Sequence, residues 1–139
     1  MQIFDRILAA RGLSRKTMGA FLLPDYNSRH DPFLLPDMDA AVKRLILAHK
    51  NNEKIVVYGD YDIDGLTATA LILDAFKSFG FNNVRSIIPS RFVDGYGLTE
   101  SAIDDIAKCG DSLILTVDCG RLSNKEITKA NKLGIDVIV

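Results

Sequence analysis

Three aspartates alternate through Val56-Val57-Tyr58-Gly59-Asp60-Tyr61-Asp62-Ile63-Asp64-Gly65-Leu66-Thr67-Ala68, between an apolar run and a helix-forming one. Alternate residues of an extended chain point the same way, so Asp60, Asp62 and Asp64 could share one side. Carboxylates crowded together repel unless a cation holds them, and hard oxygen donors suit a hard divalent metal. The spacing therefore predicts a metal site with these three acids as its ligands.

The same residues admit two blander readings. Asp60, Asp62, Asp64 and Gly65 match the first half of a calcium-binding EF-hand loop. That loop needs a bidentate Glu at its twelfth position, here Leu71, and a helix in front rather than an apolar strand. Both requirements fail. Alternatively, an aspartate can cap the following helix, and Asp64 before Gly65-Leu66-Thr67 is placed to do so. Three acids at this spacing exceed what one cap requires.

Leu113-Ile114-Leu115-Thr116-Val117-Asp118-Cys119-Gly120 repeats the order of apolar strand, carboxylate and glycine. In a parallel sheet the C-terminal ends of neighbouring strands lie together, so Asp118 could join the first acids. A bridging carboxylate with ligands on either side makes a two-metal centre. Such ions sit about 3.5–4 Å apart and stabilise an in-line displacement at phosphorus. Taken alone, Asp118 also fits a helix cap or a phosphoacceptor acid.

Between these motifs, Pro89 to Leu98 carries Arg91, Asp94, Gly95, Tyr96 and Gly97. Arg91 could pair with a phosphate, and Tyr96 could pack on a base or anchor the loop. The rival reading bonds Arg91 to Asp94 and leaves the glycines to permit unusual backbone angles. His30 and His49 lack metal-ligand spacing, and His49 suits a helix C-terminus. Cys119 beside a hard oxygen site reads as packing.

Regular elements must position these groups. Ile3, Phe4, Ile7 and Leu8 have helical spacing ended by Gly12, and Ser14 caps a short helix with Met18, Phe21 and Leu22. Pro24 to Pro36 reads as an irregular connector whose Phe33-Leu34-Leu35 docks on a neighbouring surface. Asp37 or Asp39 starts a helix that buries Met38, Val42, Leu45 and Ile46 and ends at Asn51-Asn52. Strands are then expected at 55–59, 84–88, 113–117 and 135–139, alternating with helices at 66–79, 99–108 and 123–133. This order gives an α/β fold with a parallel, right-handed crossover sheet flanked by helices, after an N-terminal helical segment. The division expected is a lead-in over 1–52 and the α/β part over 53–139.

At 139 residues, 47% hydrophobic, the chain can bury one real core. Its formal charge of −1 gives no global attraction for a polyanion, so nucleic-acid binding must rest on local charge. Two cysteines without CxxC spacing suit a reducing, cytoplasmic setting. No run approaches the roughly 18 apolar residues of a membrane span, and the start lacks signal-peptide character.

With these motifs assembled, the chain resembles the N-terminal part of the RecJ family of single-strand-specific DNA exonucleases, within the DHH phosphoesterase superfamily. Tyr58 to Gly65 is similar to the family's first motif, Val117 to Gly120 to its second, and Pro89 to Leu98 to its Arg-x-x-Asp/Glu-Gly-Tyr-Gly loop. Phe21-Leu22 and His30 to Met38 resemble the family's lead-in. The resemblance implies a Rossmann-like, DHH-type fold. It implies Mn²⁺- or Mg²⁺-dependent hydrolysis of single-stranded DNA from the 5′ end, in recombination and repair. By motif, Asp62 and Asp64 are metal ligands, Asp118 is a bridging ligand and Asp60 a direct or supporting acid, all four serving catalysis. Arg91 is by the same resemblance a candidate substrate contact, to which the reading of the loop residues adds Tyr96.

The apolar strand 135–139 has nothing after it, which leads to the expectation of a fragment of a longer protein. The family's Asp-His-His motif would follow such a strand. Without it, the 139-residue chain is expected to bind metal weakly and to show little nuclease activity. Two other functions share parts of the pattern: a DHH-family oligoribonuclease or cyclic-dinucleotide phosphodiesterase, and a non-enzymatic receiver-like α/β domain.

Overall fold

The computed structural model of the chain describes residues 3–139. By internal contacts it divides into two compact units, Met1–Met38 and Asp39–Val139. In the first unit, α1 spans Ile3–Ala10 and α2 spans Arg15–Leu22. A capping box starts α2: Ser14 Oγ accepts from Thr17 N at 3.3 Å, and Ser14 N donates to Thr17 Oγ1 at 3.0 Å. The connector forms two single 3₁₀ turns, Tyr26–Ser28 and Pro32–Leu34, begun by Asp25 and Asp31. Phe33, Leu34 and Leu35 were expected to dock on a surface, yet they stay 54, 74 and 60% exposed. One tight turn splays neighbouring side chains apart and offers no continuous apolar face.

The helix α3 spans Met38–Lys50. After it come β1 (Ile55–Gly59), α4 (Ile63–Ser78), β2 (Val84–Ile87), α5 (Glu100–Cys109), β3 (Leu113–Val117), α6 (Asn124–Lys132) and β4 (Asp136–Ile138). All strand pairs are parallel and the order is β2-β1-β3-β4. The sequence-expected strands and helices are all present, within a few residues at their ends. The largest shift is α4, which starts three residues before Leu66 for a reason given below.

β1 is central and buried along its whole length. Val56 and Tyr58 face Ile103 and Ile106 of α5 and Ala130 of α6. Ile55 and Val57 face Ala48 of α3 and Phe76 of α4. Burial on both faces is what a continuous β-branched run without alternation encodes. On α3, Ile46 is half exposed against expectation, and Ala48 takes the buried place.

Charged groups stitch the N-terminal edge of the sheet. Arg44 reaches Glu53 at 2.7 Å and Asp136 at 2.5 Å, and Ser112 Oγ donates to Glu53 at 2.7 Å. Arg85 pairs with the buried Asp111 at 2.5 Å. The Arg44 hydrogen bond, then that of Ser112, holds the Glu53 carboxyl below its ordinary value of 4.5. A depressed carboxyl stabilises the fold above its unfolded pKa, and that contribution is lost as pH falls through the folded value. Glu53→Gln should therefore cost about 1–2 kcal/mol near neutral pH. The wild-type and variant stabilities should converge below 4.5, as followed by urea melts across the acid range.

Candidate metal centre

The acids lie at the opposite edge. Gly59 pairs with Val117, so the residues after them, Asp60 and Asp118, leave adjacent strands at the same level. The chain goes from β1 to β2 on one side and to β3 on the other. The β1–β3 crevice is thus the switch point of the sheet, where open α/β folds bind ligands.

Asp60 is 3% exposed, and its Oδ1 accepts from Tyr61 N at 2.7 Å. Asp62 is the N-cap of α4: its Oδ1 accepts from Asp64 N at 3.1 Å and Gly65 N at 3.0 Å. This bond starts the helix at Ile63, earlier than the sequence spacing indicates. Extended alternation therefore stops at Asp62, and the cap is Asp62 rather than Asp64. Asp64 lies in the first helical turn, where a negative charge suits the dipole. Glycine at 65 is required by packing. A Cβ there would lie 2.6 Å from Asp60 N and closer still to Asp60 O.

Asp118 adopts a left-handed backbone, φ 59°, at the end of β3. Such strain in a non-glycine residue is concentrated at functional sites. Carboxylate oxygens of Asp60, Asp62 and Asp118 all come within 4.8 Å of one another. Asp64 stands outside this trio, though its charge is felt at Asp118. Desolvation, then the charges of Asp62, Asp64 and Asp60, raise the Asp118 carboxyl above its ordinary 3.8. Among the described residues no ion pair neutralises any of the four acids. Clustered hard oxygen donors without a cationic partner fit a divalent metal ion.

The loop between β2 and α5 borders the trio. Asp94 Oδ2 accepts from Ser90 N at 2.7 Å, so Asp94 closes the loop on itself and not on Arg91. The Arg91 guanidinium instead lies over the Tyr61 ring, 4.7 Å from its centroid. Tyr61 meets Tyr96 edge-on at 6.4 Å, and Tyr96 Oη donates to Asp118 O at 3.4 Å. Desolvation, then Asp60 and its neighbours, raise the Tyr96 phenol, which keeps its proton. Behind the loop, Tyr58 donates to Gly97 O at 3.1 Å, and burial pushes its hydroxyl up to about 12. A cleft of about 520 Å³ opens between Tyr96 and Arg121, with Asp118 on its rim.

Tyr61 and Tyr58 were missed by the sequence reading. Tyr61 had a signal, since it stands between two of the acids. Cys119 is half-buried, donates to Tyr58 O at 3.6 Å, and burial pushes its thiol up to about 11, as suits a packing group. His49 packs against Phe81 with ring centroids 4.6 Å apart. Neither histidine belongs to the acidic group.

Two stability effects follow from this geometry. Asn tolerates the left-handed backbone while removing charge, so Asp118→Asn should raise the melting temperature of the metal-free protein by a few degrees. Gly65→Ala should cost about 1–3 kcal/mol, because backbone and not a flexible side chain blocks the methyl. Thermal and urea melts of the two variants check both.

Residues 54–139 match the model of the DHH family, N-terminal domain. The chain is 42% identical over 110 residues to the single-stranded-DNA-specific exonuclease RecJ of Bacillus subtilis, covering 79% of this chain and 14% of that protein. It is 42% identical over 105 residues to Escherichia coli RecJ, covering 76% and 18%. The chain thus spans less than a fifth of the length of these relatives. Among solved structures, RecJ from Thermus thermophilus in complex with Mn²⁺ superposes with a TM-score of 0.72 at 30% identity, covering 95% of this chain and 17% of that one. A RecJ exonuclease bound to manganese gives 0.69 at 35% identity, covering 76% and 28%. With more than half of the chain, residues 54–139, matched by the family model, and with the sheet and acids arranged as described, the chain belongs to the DHH family.

Proposed function

We propose that this chain carries the acidic half of a two-metal phosphodiesterase centre, serving RecJ-type hydrolysis of single-stranded DNA from its 5′ end in repair and recombination. The observation that carries the reading is the convergence of Asp60, Asp62 and Asp118 within 4.8 Å, at the switch point and with no cationic partner among the described residues. Residues 53–139 are read as the N-terminal part of a DHH phosphoesterase domain and 1–52 as its lead-in. The setting is the cytoplasm. Among the described residues no helix is long and apolar enough to cross a membrane.

Asp62 and Asp118 would hold the ion, and Asp64, on the helix side, would be a further ligand. Asp60, held by Tyr61 N, is a direct ligand or the support of the loop. Asp62 spends one oxygen on the cap, which fixes the direction of its carboxylate. When bound here, Mn²⁺ or Mg²⁺ supplies charge neutralisation at a phosphodiester and a lowered pKa for the attacking water. Arg91 pairs with a substrate phosphate and Tyr96 supports a base.

Two measurements test this. The chain should bind Mn²⁺ in an EPR titration and gain melting temperature with it. Asp62→Ala and Asp118→Asn should each lose at least tenfold in affinity. Residues 54–139 should also replace the matching segment of Escherichia coli RecJ with retention of nuclease activity on long single-stranded DNA, abolished by Asp62→Ala. Hydrolysis of dinucleotides in preference to long strands would favour the oligoribonuclease reading instead. Metal binding unchanged in both variants would remove the centre altogether.

A further inference from the structure

We infer that Tyr61 is a positioning residue, whose ring holds the Arg91 guanidinium ready for a substrate phosphate. The inference rests on the phosphodiesterase reading above and adds to it a group outside the acidic pattern. The loop carrying Arg91 is open to solvent, with Phe92 95% and Val93 83% exposed. A free arginine on such a loop samples many rotamers, and ordering it on binding costs affinity. Here one aromatic face restricts it: the guanidinium lies 4.7 Å from the Tyr61 centroid, within cation–π range.

The platform is itself fixed. Tyr61 is partly buried, its backbone N–H is bonded to Asp60, and its ring meets Tyr96 at 79°. Tyr96 in turn is tied to the backbone of Asp118. Arg91 is thereby referenced to both acid-bearing strand ends through side chains. It also makes no ion pair among the described residues, so its charge is open to an incoming anion. A ring, and not a carboxylate, is the partner that orders a guanidinium without neutralising it.

A double-mutant cycle on the 139-residue chain tests the assignment, read by fluorescence anisotropy of a 3′-labelled short oligothymidylate at low salt. Tyr61→Leu should weaken binding about two- to fivefold, whereas Tyr61→Phe, which keeps the ring, should not. Arg91→Met should weaken it further, and Tyr61→Leu should cost nothing more once Arg91 is gone. Mn²⁺ affinity by EPR should be the same in wild type and Tyr61→Leu. Additive losses overturn the assignment, as does Tyr61→Leu binding like wild type while Arg91→Met is weakened. A fall in Mn²⁺ affinity with Tyr61→Leu also overturns it, since the ring would then shape the acidic loop itself. Absence of binding by the unsubstituted chain, or Arg91→Met binding like wild type, would sink the underlying reading of Arg91 and this inference with it.

Discussion

Parallel pairing of β1 with β3 is the constraint on which the rest depends. It sets Gly59 beside Val117 and so delivers Asp60 and Asp118 to one place. It also buries β1 on both faces, which demands an uninterrupted apolar strand and a helix layer on each side. The tight join from β1 into α4 follows from the same demand. A Cβ at Gly59 would meet Ile88 at 2.8 Å and Thr69 Oγ1 closer still. The α4 N-terminus is thus pressed onto the strand end, and only glycines at 59 and 65 leave room for it.

The two edges of the sheet divide stability from chemistry. At the N-terminal edge every described acid near the strands has a basic or hydroxyl partner: Glu53 with Arg44 and Ser112, Asp111 with Arg85, Asp136 with Arg44. At the C-terminal edge Asp60, Asp62 and Asp118 gather with no ion-pair partner among the described residues, and Asp118 adopts a left-handed backbone. Charge repulsion and backbone strain both oppose folding there. A protein keeps such a cost where a bound cation repays it, and where improving stability would remove the site.

Tyrosines connect these acids to the loop that faces them. Tyr58 holds the loop from below through Gly97, and Tyr96 holds it to Asp118. Each hydroxyl stays protonated beside the acids because desolvation and negative charge both raise its pKa. A tyrosine next to a carboxylate cluster is therefore a dependable donor, and its ring is available for packing at the same time.

The sequence by itself determined the elements and the gathering of acids at the strand ends. Strand and helix positions were legible because an apolar run with β-branched residues, or a helical spacing with a capping residue, is a local property. Hard-donor chemistry at Asp60, Asp62 and Asp118 was legible because carboxylates at strand ends of a parallel sheet converge by topology. What only the tertiary structure decided depends on groups distant in the chain. Strand order, and hence the β1–β3 crevice, is a pairing choice with no local signature. The start of α4 was settled when Asp62 used one oxygen as cap, which took Asp64 out of the extended alternation. Arg91 had two candidate partners by sequence, Asp94 among them, and packing gave it a third in Tyr61, thirty residues away. Spacing along a chain fixes which side chains can share a face of one element. Which faces meet is decided by burial and pairing across the whole fold.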